Sequence, residues 1–323
     1  MNTSMIRYIL GHVLKIEAIL LLLPCLTAVY YQEIQGVYYL LTAAICIVLG
    51  FLMTLRKPKN NVFYLKEGCV ATALSWMFLS VFGCLPFVFS REIPSFTNAL
   101  FETISGFTTT GASILEDVEA LSHCALLWRS FTHWIGGMGV LVFLLAIVPM
   151  SGGSNINLMR AESPGPSVGK LVPKMVSSAR ILYGIYFGLT LLEAVSLVLG
   201  GMPLFDSVAT SFGTAGTGGF AIYAIHLQWI VTIFMILFGV NFNAYYFILF
   251  HQFRKAFGME EVRAYFIVIL ASVAFITCNI RSMCTGVFDA LTQAAFQVGS
   301  IITTTGFATA NFDLWPKASQ AIL

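Results

Sequence analysis

The sequence predicts an all-α integral membrane protein built from a repeated helical unit, and three observations lead to this fold class. Hydrophobic residues make up 58% of the 323 residues and charged residues only 10%, whereas soluble proteins carry about 25% charged residues. Several apolar runs are long enough to cross a bilayer, which takes roughly 20 residues. A short segment rich in threonine and glycine occurs three times, and internal repetition indicates a repeated structural unit.

The apolar runs place a helix pair before the repeats. The first run, about 13–31, is too long for the core of a signal peptide and is followed at once by a second run, about 36–55. We therefore interpret the first run as a retained helix. From there each unit follows one plan: a spanning helix, a short half-helix, a Thr/Gly turn and a second spanning helix. The expected segments are 1–57 for the helix pair, 58–152 for unit one, 153–256 for unit two and 257–323 for an incomplete unit three.

Within these segments the hydrophobic pattern gives the following elements. Spans are expected at about 62–89 and 125–150 in unit one, 178–200 and 226–252 in unit two, and 264–280 in unit three. Half-helices are expected at about 95–106, 204–214 and 287–300. Pro94 and Ser95 support the first half-helix, because proline is tolerated in a first helical turn and serine suits a helix start.

Charge is distributed unevenly between the loops. Basic residues cluster in alternate loops, such as Arg56–Lys59 and Arg254–Lys255, while the loops between them carry acids such as Glu33 and Glu92. The positive-inside rule then predicts a cytoplasmic amino terminus. Under this topology each half-helix enters and leaves on one side. Non-helical backbone at membrane depth is tolerated only inside protein or along a watery cavity, so the turns are expected to face a common axis.

The turns read Thr108–Ala112, Gly216–Phe220 and Thr303–Phe307, and they align on Gly111, Gly219 and Gly306. Backbone carbonyls replace the hydration oxygens of a cation, glycine accepts the backbone angles that this requires, and the carboxyl end of a half-helix adds partial negative charge. The pattern therefore predicts a path for a monovalent cation, with potassium the natural candidate. Close helix packing is the alternative for glycine-rich segments. It suits the segment Gly136–Gly139 better than it suits the three turns.

Three motifs carry a resemblance to a known family: Ser105–Ala112, Trp128–Gly139 and Ile301–Thr309, with Trp315–Pro316 after the last. The chain resembles the TrkH-like membrane subunits of the Trk/Ktr/HKT potassium transporter superfamily over nearly its whole length. This family implies a helix pair followed by four helix–re-entrant half-helix–helix units around a pseudo-fourfold pore axis. Compared with that pattern, the second helix of unit three and all of unit four are expected to be absent, as in a carboxy-terminal truncation.

The resemblance also implies the site residues. The potassium filter would be lined by Thr109, Thr110 and Gly111 from unit one, by Thr217, Gly218 and Gly219 from unit two, and by Thr304, Thr305 and Gly306 from unit three. Unit two departs from the other two, because Gly218 stands where they carry a threonine.

The function implied is potassium uptake by a multi-pass protein of the inner (plasma) membrane, with K⁺ as the transported ion and no covalently bound cofactor. A homodimer and a cytoplasmic TrkA-like nucleotide-binding regulatory ring are the implied partners, besides the lipid bilayer, and no nucleic acid partner is expected. The loops, at most the stretch 151–177, are too short for an enzyme domain. Two alternatives stay open: a truncated, non-conducting fragment or assembly partner, and a Na⁺- or H⁺-coupled potassium symporter.

Ionisable residues at membrane depth are candidates for function. Glu102, in the first half-helix, either polarises the filter or pairs with Arg129, and a structural ion pair is the favoured interpretation. Glu193 lies in the middle of a span and needs a partner or a watery neighbour. Asn241 and Asn243 interrupt the span 226–252 and are expected to hydrogen-bond between helices.

Overall fold

The computed structural model describes residues 2–58, 65–115, 118, 120–139, 175–218 and 225–323, and every regular element within these ranges is a helix. The chain divides into two compact units, 1–183 and 184–323, and each is described by itself. The division into four sequence segments remains a prediction.

The first unit begins with α1 (Thr3–Leu20), α2 (Leu22–Tyr31) and α3 (Gly36–Thr54). Helix α1 starts ten residues earlier than the sequence predicts, because Asn2 accepts a hydrogen bond from the N–H of Met5 at 3.1 Å and caps the helix. The basic residue Lys15 lies inside the helix, where its ammonium group donates to the Thr54 hydroxyl at 2.6 Å. Charge near the amino terminus therefore does not mark the helix boundary.

The first repeat follows as α4 (Leu65–Gly83), α5 (Leu85–Phe89), α6 (Phe96–Phe107) and α7 (His123–Met138). The half-helix α6 starts one residue after Ser95, whose side chain accepts from the N–H of Asn98 at 3.5 Å, and this confirms the predicted start. Helix α7 is capped by Gly139. The remainder of the predicted span 125–150 lies outside the described residues.

The next elements are α8 (Met175–Leu199), α9 (Leu204–Ala215), α10 (Ile225–Gly239), α11 (Phe242–Leu249), α12 (Phe253–Ala256), α13 (Glu260–Ile280), α14 (Val287–Ile302) and α15 (Lys317–Ile322), with single 3₁₀ turns at Arg281–Met283 and Phe312–Leu314. The half-helices α9 and α14 lie within two residues of their predicted bounds. In the second unit α14 packs against both α10 and α13. Its buried Phe296 packs with Phe307 from the turn that follows.

The span predicted at 226–252 is bent, because α10 and α11 meet at 90° where Asn241 and Asn243 were expected to interrupt it. Asn241 lies between them in an extended conformation, and its side chain accepts from the N–H of Asn243 at 3.0 Å. Asn241 also donates to the Glu261 carboxylate at 2.8 Å, which is the expected bond to another helix. Two tyrosine hydroxyls from outside α10 then satisfy carbonyls of its last turn: Tyr265 donates to Ile236 at 3.0 Å, and Tyr245 donates to Leu237 at 2.5 Å.

Five helical segments among the described residues are long and apolar enough to cross a membrane, and the bent pair α10–α11 gives a sixth if it is counted as one span. The five segments are Thr3–Tyr31, Gly36–Thr54, Lys66–Phe89, Arg180–Leu199 and Glu260–Met283. The half-helices α6, α9 and α14 are shorter than a span, at 12, 12 and 16 residues. The fold is therefore that of a helical membrane protein with short helices interleaved between spans.

Candidate functional site

The first Thr/Gly turn follows directly from the end of α6. The N–H of Thr109 donates to the carbonyl of Gly106 at 3.0 Å, and the N–H of Thr110 donates to the carbonyl of Ser105 at 2.9 Å. This pair of bonds is the Schellman motif, in which the chain reverses over the last helical turn and satisfies its orphan carbonyls. The predicted filter residues Thr109, Thr110 and Gly111 therefore lie where the half-helix ends and the chain turns back.

The turn after α14 has the same construction. The N–H of Thr304 donates to the carbonyl of Ile301 at 3.0 Å, and the N–H of Thr305 donates to the carbonyl of Ser300 at 2.8 Å. The N–H of Gly306 reaches the Ser300 carbonyl as well, at 3.4 Å. The first and third turns thus share both bonds of this motif, and the third adds the bond from Gly306.

The turn after α9 keeps this backbone with a different sequence. The N–H of Thr217 donates to Thr214 at 3.4 Å, and the N–H of Gly218 donates to Gly213 at 2.7 Å. The third predicted filter residue of this turn, Gly219, lies outside the described residues. The turn therefore forms although glycine replaces threonine at position 218.

The residue just past the cap is left-handed in all three turns, and each time it is a threonine. The φ angles of Thr109, Thr217 and Thr304 are +54°, +58° and +59°. Glycine is usual at this position, and a left-handed conformation costs other residues roughly 1–2 kcal/mol. Gly111 and Gly306 are left-handed too, with φ of +76° and +77°. Positive φ therefore recurs at every second residue of these two turns, at 109 and 111 in the first and at 304 and 306 in the third.

Glu102 and Arg129 form a buried ion pair, in which the Arg129 guanidinium donates to a carboxylate oxygen of Glu102. The same carboxylate accepts hydrogen bonds from the Ser113 hydroxyl at 3.1 and 3.2 Å and from the N–H of Ile114 at 3.1 Å. Ser113 and Ile114 follow the first turn. Glu102 therefore joins three parts of the first unit: the half-helix, the segment that leaves the turn, and α7.

Gln297 holds the same position in α14, nine residues before the turn glycine, and it was not singled out from the sequence. Its side chain is buried and donates to the carbonyl of Ala310, beyond the third turn, at 3.4 Å. The corresponding residue of α9 is Thr210, whose hydroxyl lies 3.9 Å from the sulfur of Met202. Comparing the residues that lie nine positions before Gly111, Gly219 and Gly306 would have identified Gln297 from the sequence.

Two glycines of spanning helices lie against the turns. A Cβ on Gly136 would lie 2.4 Å from the carbonyl oxygen of Phe107 and 3.0 Å from a methyl group of Thr109. A Cβ on Gly239 would lie 2.8 Å from a methyl group of Thr303. Contacts this short allow no side chain, so Gly136 has the packing role expected for its segment, and its packing partner is the first turn.

The amino end of α7 is held by two carboxylates from other segments. Glu33 accepts from the N–H groups of His123 and Cys124 at 2.8 and 3.0 Å and contacts the His123 ring nitrogen at 2.8 Å. Glu92 accepts from the N–H of Ser122 at 2.7 Å. Partial burial acts to raise the pKa of the Glu33 carboxyl, but the hydrogen bonds from Cys124 and His123 outweigh it and hold that pKa below its usual range. Negative charge at a helix amino terminus is favourable, so these acids stabilise the helix that carries Arg129 and Gly136.

Two further carboxyl groups are fully buried in spanning helices. Neither oxygen of Glu17, in α1, has a hydrogen-bond partner among the described residues. The absence of a side chain at Gly83 leaves space beside it, where a Cβ would lie 3.2 Å from a Glu17 oxygen. Glu193, in α8, has the Thr214 side chain beside it, although that hydroxyl donates to the Thr210 carbonyl at 3.0 Å. Both oxygens of Glu193 therefore lack a hydrogen-bond partner among the described residues, so the partner that the sequence requires is not found there, and Glu17 was not anticipated.

In the structure Glu102 pairs with Arg129, and each of the three turns lies at the carboxyl end of its own half-helix. No group of three or more His, Cys, Asp or Glu side chains with metal-binding geometry occurs in the described ranges. The oxygen groups of the turns are backbone carbonyls and threonine hydroxyls, which are hard and uncharged.

Comparison with known proteins agrees with this chemistry. The TrkH family, described as cation transport proteins, matches residues 38–280. The Trk system potassium uptake protein TrkH of Vibrio parahaemolyticus is 34% identical over 339 residues, which cover 99% of this chain and 69% of that protein. TrkH of Salmonella typhimurium is 32% identical over 340 residues and is matched over 70% of its length. The crystal structure of the potassium transporter TrkH from Vibrio parahaemolyticus superposes with a TM-score of 0.85 at 28% identity, over 100% of this chain and 69% of that one. The repeated half-helices, their Thr/Gly turns and these matches together establish that the chain belongs to the TrkH family of cation transport proteins.

Proposed function

We propose that this chain carries K⁺ into the cell through a filter of backbone carbonyls supplied by the three turns. The observation that carries the proposal is the left-handed threonine found at one position in all three turns, each closing the same pair of backbone hydrogen bonds. A strained conformation kept three times in one chain indicates a functional requirement. The relatives are named potassium uptake proteins, which supports K⁺ as the ion.

The filter residues in this proposal are Thr109, Thr110 and Gly111; Thr217, Gly218 and Gly219; and Thr304, Thr305 and Gly306. Each half-helix directs its carboxyl end, with its partial negative charge, toward its own turn. The ion pair Glu102–Arg129 supports the first turn by fixing the segment that follows it. Entry of K⁺ would be driven by the membrane potential, which contributes about 2.3 kcal/mol per charge per 100 mV.

The protein would work in the plasma membrane with its amino terminus in the cytoplasm, as the distribution of basic loops favours. A second copy of the chain and a cytoplasmic nucleotide-binding ring like TrkA are the proposed partners. The relatives' description as members of a Trk system supports a multi-component assembly. Chemical crosslinking of the chain in membranes, with and without such a ring protein, would test both partners.

The test of the filter is uptake by a bacterium that lacks its own potassium uptake systems and expresses this chain. We expect growth at low external K⁺, and we expect Gly111→Ser to weaken the selection of K⁺ over Na⁺, because serine is strained at a φ of +76°. Gly188→Ser is the matched control, since a Cβ there meets no described atom within 4 Å. Absence of K⁺ uptake by the unaltered chain would favour a non-conducting fragment or assembly partner, and unchanged selectivity in Gly111→Ser would contradict the filter assignment.

Proton-coupled symport is a second candidate, and the buried carboxyl groups of Glu17 and Glu193 favour it. Burying an ionised carboxylate without a partner is costly, so such groups tend to bind a proton. Uptake of K⁺ into proteoliposomes against an imposed proton gradient distinguishes the two mechanisms. A channel responds to the electrical potential and the K⁺ gradient, whereas a symporter also responds to the pH difference when both of these are held constant.

A further inference from the structure

Two threonine hydroxyls outside the filter assignment make the same contacts at the ends of two half-helices. Thr108 caps α6, and its hydroxyl oxygen lies 2.7 Å from the carbonyl oxygen of Ile104 and 2.7 Å from the hydroxyl oxygen of Thr110. Thr303 caps α14, and its hydroxyl oxygen lies 2.7 Å from the carbonyl of Gly299 and 2.7 Å from the hydroxyl of Thr305. We call Thr108–Thr110 and Thr303–Thr305 the threonine pairs.

The chemistry of these groups fixes the direction of the hydrogen bonds. A carbonyl oxygen only accepts, and a hydroxyl has a single proton to donate. Thr108 must therefore donate to Ile104, which leaves its oxygen as the acceptor for the proton of Thr110. The same reasoning makes Thr305 the donor to Thr303. In both pairs the proton of the second threonine is thus directed to the capping threonine. Thr110 is exposed, so its oxygen keeps lone pairs open to another ligand, whereas Thr305 is fully buried.

We propose that Thr108 is a positioning residue that turns the exposed hydroxyl oxygen of Thr110 into a fixed acceptor for the transported cation, and that the buried pair Thr303–Thr305 makes the same contacts without facing the ion. This inference rests on the proposed filter function. A free hydroxyl rotates and presents its proton or its lone pairs with little preference, and a proton facing the ion path repels a cation. Holding that proton elsewhere pre-organises a negative dipole before the ion arrives, which reduces the cost of binding.

The second turn separates this role from the building of the turn itself. Gly216 and Gly218 occupy the positions of the threonine pair after α9. Thr217 nevertheless has the left-handed conformation, and both backbone hydrogen bonds are present. The backbone turn therefore forms without the pair, and the hydroxyl contacts in the first and third turns act on the oxygen of the filter threonine.

The experiment compares Thr108→Val and Thr303→Val with Thr108→Ser and Thr303→Ser in proteoliposomes, measuring K⁺ and Na⁺ uptake over a range of concentrations. Valine keeps the shape and removes the hydroxyl, whereas serine keeps the hydroxyl. We expect Thr108→Val to raise the KM for K⁺ and lower the K⁺/Na⁺ ratio by roughly two- to tenfold, the factor that corresponds to one net hydrogen bond. Thr303→Val, at the buried pair, should change both by less. The serine variants should resemble the unaltered chain.

Thr103→Val is the matched control for folding and packing. Thr103 lies in α6, is buried, and donates its hydroxyl to the Ala99 carbonyl at 2.8 Å, but it belongs to neither pair. We expect it to keep the K⁺/Na⁺ ratio of the unaltered chain. A Thr108→Val variant that transports with unchanged KM and unchanged ratio would overturn the proposal, as would a Thr108→Ser variant that fails to restore them.

If the unaltered chain carries no K⁺, the proposed function fails, and the positioning role is then decided by amide hydrogen exchange. The amides of Thr110 and Thr305 are bonded within their turns, and a pair that fixes the side chain also restrains this backbone. Faster exchange of these amides in the valine variants, but not in the serine variants or Thr103→Val, supports the pairs as positioning elements. Equal exchange in all variants contradicts that role.

Discussion

The first and third turns have the same backbone as the second turn, but different side chains surround it. The first and third are flanked by threonine pairs and backed by a long polar side chain, Glu102 or Gln297, that reaches the segment beyond the turn. The second turn has glycine at both pair positions and Thr210 at the backing position. All three nevertheless have a left-handed threonine and the same two backbone bonds.

This difference separates two requirements that a repeated motif combines. The geometry of the turn comes from the end of the half-helix, where orphan carbonyls accept the N–H groups of the next residues. The surrounding side chains decide how firmly that geometry is held and which oxygens are available to an ion. A pore assembled from such turns need not be chemically fourfold, even where its backbone repeats.

The largest expected effect comes from replacing Glu102, behind the first turn, with glutamine, the residue type that Gln297 provides behind the third turn. Glu102→Gln removes the carboxylate that faces the buried Arg129 guanidinium, and breaking a buried pair in this way costs about 3–5 kcal/mol. We expect the free energy of unfolding in detergent to fall by that amount, as measured by denaturant titration. Glu102→Gln with Arg129→Met should recover most of the loss, and Glu260→Gln, at an exposed site, should change little. If Glu102→Gln alone were as stable as the unaltered protein, glutamine would support the first turn as well as glutamate does.

A smaller effect, of opposite sign, is expected when the left-handed threonines become glycine. Thr109→Gly, Thr217→Gly and Thr304→Gly each relieve roughly 1–2 kcal/mol of backbone strain and lose roughly 0.4–1 kcal/mol through a freer unfolded chain. The net stabilisation should therefore lie between zero and about 1.6 kcal/mol, visible as a raised midpoint of thermal unfolding. Equal gains in the three turns would indicate that the backbone alone sets the strain. A loss of stability in all three would instead assign the threonine side chains a structural role.

The smallest effect concerns Glu33, which stabilises the amino end of α7, the helix that contacts the first turn. The lowered pKa of Glu33 means that its contribution is complete above its ordinary pKa of about 4.3 and is lost as the pH falls through the lower value of the folded protein. We expect Glu33→Gln to reduce stability by about 0.3–1 kcal/mol at neutral pH, and the difference from the unaltered protein to vanish in acid. Thermal unfolding measured across this pH range gives the result, and a difference that grows in acid would contradict the assignment.

The parts of the fold that depend on local signals could be predicted from the sequence. Ser95 and the short apolar run after it gave the first half-helix, and the repeat itself gave the positions of the three turns. The ion pair of Glu102 and Arg129 was also predictable, since two opposite charges in apolar surroundings require each other. These features are determined by residues close to one another in the chain, or by the high free-energy cost of an unpaired buried charge.

The parts that were missed depend on distant residues or on small differences. The bend between α10 and α11 is formed with Tyr265 of α13, and nothing in the run 226–252 announces that partner. The position of Gln297 became informative only beside Glu102, because an isolated glutamine in an apolar helix carries little signal. Thr108 and Thr303 belong to the repeated motif, but the direction in which their protons are donated is a property of three-dimensional contact.

The right angle between α10 and α11 has a consequence for how the chain is counted across a bilayer. Two helices that meet at 90° cannot both follow the membrane normal, so at least one of them departs from the path of a crossing. Hydropathy alone would score the whole run as a single passage and would put its basic end, Arg254 and Lys255, a full bilayer thickness away from Ile225. This separation is not required. The Tyr245 and Tyr265 hydroxyls satisfy peptide carbonyls at the bend, so the bend can lie away from water.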